Sequence, residues 1–320
     1  MKEVNKQALK TLLKYFARKK YTVETVKRWA GAAMEYIIFL ESNGRTVDDI
    51  GDLLNSEGRV VGKESFGVKD FLDTKTKYEA SYMNYLCHVL KRFYVAWEKH
   101  FPIPNEEFPK AKKEPVRIIL NTEEILKIQE TAKKMWIQRE EQNPGDILGL
   151  RDYCMILIGI DCGPRRLQIS RLNIDHYDDK KGTLFVPAAK GGRDTTRVLS
   201  KILKNALRYY LERRKKLESK NKAMFLLPNN ERVTTSAMSD RFSATCKEAG
   251  VYAKGVGFHA LRRAKVWRLK KAGFNEEEIN NIMGWKRGSK MSHIYGELDQ
   301  TELQQKAADI DDIFKRNNID

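Results

Sequence analysis

Gly257-Phe258-His259-Ala260-Leu261-Arg262-Arg263 opens the stretch that organises this chain, which then runs through a helical pattern to Lys271, Ala272-Gly273, a second helix from Asn275, Gly284-Trp285 and His293-Ile294-Tyr295. His259 and Arg262 stand three residues apart, so on a helix they share a face and can address one ligand together. The next helix has a complete start signal: Asn275 as N-cap, Glu278 three residues on to close a capping box, and Phe274 placed to staple onto Ile279. Ile279, Ile282 and Met283 form its apolar stripe, and Gly284 is a natural stop. Tyr295 follows on a segment rich in Lys, Gly and Ser. A tyrosine near a His-x-x-Arg pair suits a nucleophile facing a phosphate, because a phenol with a pKa near ~10 needs cations and a proton acceptor beside it. The same residues also suit ordinary helix-surface charges and a packed tyrosine.

Residues further upstream complete a pattern. Gly163-Pro164-Arg165-Arg166-Leu167-Gln168-Ile169 and Lys190-Gly191-Gly192-Arg193 precede His259-Ala260-Leu261-Arg262, Met283-Gly284-Trp285 and Ile294-Tyr295. In order and separation these five elements resemble the tyrosine recombinases, the integrase family: a first Arg in a turn, a Lys on a β-hairpin, His-x-x-Arg, a His or Trp after a Leu-Gly-like pair, and a Tyr about ten residues later. Two departures are visible. Gln168 stands where the family usually has Glu, and the spacing from Trp285 to Tyr295 is one residue longer than usual.

The resemblance implies a mainly α fold with a small antiparallel β-sheet, in which a helical, SAM-like core-binding domain precedes an α+β catalytic domain. It also implies that Tyr295 attacks a DNA phosphodiester to give a 3′-phosphotyrosyl link and a free 5′-hydroxyl. Arg165 and Arg262 would clamp the phosphate, since guanidinium geometry matches paired oxygens. Lys190 would be the acid for the 5′-oxygen, and His259 would assist phosphate binding and proton transfer. Trp285 would donate its indole N–H or pack against the site, since an indole, unlike an imidazole, cannot also accept a proton. Because the covalent intermediate keeps the bond energy, no cofactor, neither ATP nor metal, is expected. Expected partners are double-stranded DNA and further copies of the chain, with a tetramer in the synaptic complex. Two other readings stay open: strand relaxation of the type IB topoisomerase kind, and a catalytically silent DNA-binding relative. No carboxylate cluster favours a two-metal nuclease.

Composition points the same way. The 320 residues carry a formal net charge of +17, with 41% hydrophobic and 10% aromatic residues, which describes a globular chain with a polyanionic partner. Basic residues outnumber acidic ones by 21 to 16 over positions 1–115 and by 39 to 27 over 116–320, so most of the field belongs to the second part. Cys87, Cys154, Cys162 and Cys246 lack Cys-x-x-Cys spacing and lie among apolar residues, as buried thiols of a reducing compartment do. His88, His100 and His176 lack metal-ligand spacing and read as structural. With no apolar signal core and no run approaching ~18 apolar residues, a cytoplasmic, nucleoid-associated protein with no membrane partner is expected.

Periodicity assigns residues 1–113 to a helical bundle: one helix over Leu9 to Phe16, one over Val26 to Ile38, shorter pieces at Val47–Leu54 and Phe66–Leu72, and a long one through Tyr82, Leu90, Phe93 and Trp97. Trp29, Tyr82 and Phe93 fall on the apolar period and are expected in the core. Phe108 to Pro115 is a proline-bounded basic linker. Over 114–320, Asn121 and Glu124 begin a helix, an apolar helix follows Asp152 and ends at Gly163-Pro164, and Leu172–Tyr177, Thr183–Val186 and Thr195–Leu199 read as three strands. Helices are expected over Ile202–Leu217 and Ala237–Ala249, with Arg213 to Lys216 as a solvated basic face. The tail through Leu303, Ala307, Ile310, Ile313 and Phe314 has helical spacing. It suits a contact to a neighbouring protomer, as the resemblance implies, or to its own domain.

Overall fold

Polar residues just ahead of apolar periods set the starts of most of the long helices. Thr22, Asn121, Asp146, Ser200, Thr234 and Asn275 each accept a backbone N–H from the first turn that follows, replacing a bond that a helix end cannot make for itself. These positions come from a computed structural model that describes residues 1–50, 67–110, 118–189, 192–253 and 255–291. Two compact units divide the chain, Met1–Pro115 and Val116–Asp320.

The first unit contains α1 (Glu3–Arg18), α2 (Val23–Ser42), a 3-10 turn at Val47–Asp49, α3 (Val68–Asp73) and α4 (Ala80–Ala96). Leu12, Phe16, Ile37, Leu40, Leu86, Leu90 and Phe93 are fully buried between them. Tyr36 and Tyr94 share a buried hydroxyl–hydroxyl bond of 2.8 Å, so each phenol enters the core with its polar end satisfied. Phe93 is a core residue as expected, but Trp29 and Tyr82 stop at its edge. Arg92 lies over the Trp29 ring at 4.7 Å, and its guanidinium covers what the apolar period left open.

In the second unit, α5 (Thr122–Gln142) begins at the Asn121–Glu124 capping box. α6 (Ile147–Cys162) packs against α5, α8 and α10 and is buried on nearly every face. It starts at Asp146, not after Asp152. With neighbours all round it needs no polar stripe, and the period that would mark its start is lost. Gly163 ends it in the left-handed conformation at φ 62°, where glycine carries no steric cost. The short α7 (Arg166–Ser170) follows.

β1 (Tyr177–Asp178), β2 (Thr183–Val186) and β3 (Thr195–Val198) form one antiparallel sheet in that order, with Leu184 opposite Arg197 and Val186 opposite Thr195. The strand expected over Leu172–Tyr177 is mostly absent. Its first part pairs only as an isolated antiparallel bridge, Asn173 with Ala223, in which Ile174 N–H donates to Lys222 O at 3.0 Å and Met224 N–H to Leu172 O at 2.9 Å, and a 3-10 turn at Ile174–His176 then interrupts the segment before β1.

α8 (Lys201–Lys215), α9 (Thr235–Glu248), α10 (Phe258–Lys271) and α11 (Glu276–Met283) complete the described part. The basic end of α8 is a solvated face only at Lys215 and Lys216. Arg214 is buried and donates to Asn221 O at 2.8 Å, while Arg213 pairs with Glu140. The four cysteines are buried free thiols, and desolvation pushes Cys162 and Cys246 up to about 12. Among the described residues no group of His, Cys, Asp and Glu could hold a metal ion, and no helix is long and apolar enough to cross a membrane.

Candidate active site

Arg262 is the centre of the site. It sits one turn into α10 and is 1% exposed, and it donates through Nη1 to Gly163 O at 2.6 Å and through Nη2 to Met283 O at 3.1 Å. Gly163 lies two residues before Arg165 and Met283 two before Trp285. One guanidinium thereby joins three motifs that lie far apart in the sequence. The Trp285 ring lies 5.1 Å beneath its central carbon, and Trp285, itself 2% exposed, packs with Val266, Leu269, Ile279 and Met283.

Local rules place Trp285 there. Asn275 Oδ1 accepts Glu278 N–H at 2.9 Å and Glu278 Oε2 accepts Asn275 N–H at 2.7 Å, which starts α11, and Gly284 stops it at φ 68°. Trp285 N–H then returns to Asn280 O at 2.9 Å.

Arg165 is the N-cap residue of α7 and half-buried. Its backbone N–H donates to Gln168 Oε1 at 2.9 Å, and Gln168 Nε2 donates to Pro187 O at 2.6 Å. The Arg165 turn is thus tied to the end of β2. On the β3 side, Arg193 N–H donates to Gly284 O at 3.1 Å, and the Arg193 guanidinium donates to Asn281 on α11. Gly192 passes so close to α11 that a Cβ on it would stand 2.7 Å from Gly284 O and 3.8 Å from Arg165 Nη1.

His259 opens α10 on the exposed side of the same turn. Desolvation first, and then the positive charges of Arg262, Arg263, Arg165 and Arg166, hold its imidazole down to about 4, so it is neutral at pH 7. A field of guanidinium groups around a neutral imidazole is suited to an anion, whose charge would raise the ring's affinity for a proton.

Of the six residues singled out in the sequence, the structure brings Arg165, His259, Arg262 and Trp285 together. Lys190 and Tyr295 lie outside the described residues, as does the C-terminal tail. Gln168 was visible only as a departure from the expected Glu. Asn281 left no signal, since an exposed asparagine on a helix is unremarkable until its partner is known.

Residues 119–302, more than half of the chain, match the phage integrase family. The chain belongs to this family of tyrosine recombinases. The chain is 26% identical over 196 residues to tyrosine recombinase XerC 2 of Ralstonia nicotianae, a match covering 60% of this chain and 53% of that protein. The chain spans about half the length of the curated relatives it matches. In fold, the chain is similar to the XerH site-specific recombinase in a post-cleavage complex with palindromic difH substrate, with a TM-score of 0.67, 16% identity, and coverage of 89% of this chain and 80% of that one. It is also similar to a lambda integrase tetramer bound to a Holliday junction, with a TM-score of 0.57, 18% identity, and coverage of 89% and 78%. The mostly helical architecture with one small antiparallel sheet is thus that of the family.

Proposed function

We propose that the chain is a site-specific DNA recombinase that cuts and rejoins strands through a 3′-phosphotyrosyl link on Tyr295. The observation that carries this reading is the Arg262 guanidinium, which gathers the Arg165 turn, the His259 helix and Trp285 around one cationic site. In the reaction the Tyr295 oxygen bonds to phosphorus and the bond to the 5′-oxygen breaks. Lys190 supplies the proton that leaves with that oxygen, and neutral His259 takes the proton of the tyrosine. A 5′-hydroxyl from a second strand then reverses the step, so no external energy source is needed.

Arg262 has a particular part in this. Two of its five N–H groups are engaged by main-chain carbonyls, so its charge is held rigid at the place where the phosphorane-like transition state gathers negative charge. Arg165, half-buried on its turn, is the arginine placed to move onto the phosphate oxygens. Trp285 packs beneath Arg262 and keeps water from its lower face.

Residues 1–113 act as a core-binding half and 114–320 as the catalytic half. A groove of about 500 Å³ on the first unit, lined by Lys27, Arg28, Tyr82 and Tyr85 among others, offers cations beside aromatic rings to a duplex. XerH bound to difH and a lambda integrase tetramer on a Holliday junction support duplex DNA as substrate and a tetramer of this chain as the working assembly.

The test is covalent capture. Wild-type protein mixed with fragmented DNA of its source cell should give a denaturation-resistant adduct, and sequencing the trapped junction identifies the site. Tyr295→Phe should bind the recovered site and give no adduct. An undiminished adduct, mapped to another tyrosine such as Tyr252, would reject the assignment.

A further inference from the structure

We infer that Gln168 and Asn281 are positioning residues that hold the two described ends of the β2–β3 connection, Pro187 and Gly192–Arg193, so that the Gly192 backbone stays beside the Arg165 guanidinium. The inference rests on the reading of Arg165 as a phosphate clamp. Each described end of the connection is held by a side-chain amide from another element. Where β2 ends, Gln168 Nε2 donates to Pro187 O at 2.6 Å while Gln168 Oε1 accepts the Arg165 N–H at 2.9 Å. Where β3 approaches, Arg193 is held twice, by its N–H on Gly284 O at 3.1 Å and by its guanidinium on Asn281 Oδ1. Next to that second anchor runs the backbone of Gly192, whose absent Cβ would lie 3.8 Å from Arg165 Nη1 and 2.7 Å from Gly284 O. This backbone is a wall beside the Arg165 guanidinium, and the two amides hold the wall in place.

The amides work with different polarity, and this separates their roles from mere packing. Asn281 offers an oxygen to a cation, so a carboxylate in its place keeps the acceptor and adds charge attraction. Gln168 is 9% exposed and uses both halves of its amide. A carboxylate there still accepts from Arg165 but sets a second acceptor against the Pro187 carbonyl, an unpaired contact in a buried place. The same chemical change, amide to carboxylate, is therefore expected to be harmless at 281 and damaging at 168. Glu, the usual family residue at 168, would weaken this site.

The experiment is single-turnover cleavage by the full chain on a synthetic duplex bearing the junction recovered by covalent capture. One version carries the natural scissile phosphodiester and another a neutral methylphosphonate, in which the tyrosine oxygen still bonds to phosphorus and the 5′-oxygen still leaves protonated, but no anionic charge needs a guanidinium. Thermal unfolding of each variant is measured alongside. On the phosphodiester, Gln168→Glu should be slower by roughly 10²-fold and Asn281→Ala by roughly 10-fold, as expected for misplacement of a clamp, with Asn281→Asp within about twofold of wild type. On the methylphosphonate, Gln168→Glu and Asn281→Ala should regain most of their loss, as should Arg165→Ala.

The inference is overturned if Gln168→Glu cleaves at full rate, or if Asn281→Asp is as slow as Asn281→Ala. It is also overturned if the Gln168→Glu loss persists on methylphosphonate while Arg165→Ala recovers. Recovery of Gln168→Glu only on a substrate with sulfur as the leaving atom would assign the residue to Lys190 instead. If Arg165→Ala itself fails to recover, the phosphate-clamp reading of Arg165 falls, and this inference falls with it.

Discussion

The stretch from Gly257 to Trp285 and the stretch from Arg165 to Arg193 build two sides of one site by different means. In the first, short-range rules place almost everything: a capping box starts α11, a left-handed glycine stops it, and Trp285 is delivered beneath Arg262. Arg262 is then absorbed into the fold, buried with two carbonyls on its guanidinium. In the second, α7 has five residues and β1 two, and the described ends of the connection between β2 and β3 are held by contacts to residues far away in the chain. Two arginines with the same proposed chemistry thus stand in opposite relations to stability. One is a structural member and the other is a side chain held up by its surroundings.

The largest effect expected from this contrast separates stability from rate. Arg262→Ala leaves the carbonyls of Gly163 and Met283 without their donor and opens space over Trp285, so it should lower unfolding stability by roughly 3 kcal/mol or more and abolish cleavage. Arg165→Ala should slow cleavage by about 10²–10³-fold with stability within about 0.5 kcal/mol of wild type. Denaturant midpoints paired with single-turnover rates check both. Equal losses of stability in the two variants would erase the distinction.

Gly192→Ala lies between these extremes. Its methyl group would meet the Gly284 carbonyl, a backbone atom, at 2.7 Å, so either the connection or the end of α11 must shift, at a cost of about 1–3 kcal/mol. Cleavage should fall while DNA affinity holds. Unchanged stability and rate would mean that the connection is not pressed against α11 in solution.

The smallest effect is one of pH. The folded-state pKa of His259 is depressed to about 4, so in free enzyme the group stays neutral on acidification until pH approaches that value, where an ordinary histidine would already be charged below ~6.5. The acid limb of kcat/KM, which reports free enzyme, should therefore show no loss from this group between pH 7 and 5.5. The limb of kcat should lie higher, because a bound phosphate favours the imidazolium. A tenfold fall in kcat/KM across that range, removed by His259→Gln, would show that the surrounding guanidinium groups do not hold the ring neutral.

Much of the site could be read before its geometry was known. The starts of α5 and α11, the stops at Gly163 and Gly284, and strands β2 and β3 follow from residues within a few positions of each other. The failures share a cause. α6 hid its first turn because it is apolar on all sides. Leu172–Tyr177 has the composition of a strand, but only its ends pair, Asn173 with Ala223 and Tyr177 with Leu184, and the 3-10 turn at Ile174–His176 interrupts it. Arg214, charged and near a helix end, is drawn inside by the carbonyl of Asn221.

By itself the sequence determined which residues are candidates for the chemistry, where the capped helices begin and end, and which family pattern the five motifs follow, since caps, glycine stops and motif spacing are encoded over a few positions. Only the tertiary structure decided that Arg262 would be buried among main-chain carbonyls, that Arg193 would be tied to α11, and that one glutamine amide would join the Arg165 turn to β2. Those outcomes depend on partners such as Asn281, Gly284 and Pro187, whose proximity follows from the packing of whole helices and strands and is written in no local pattern.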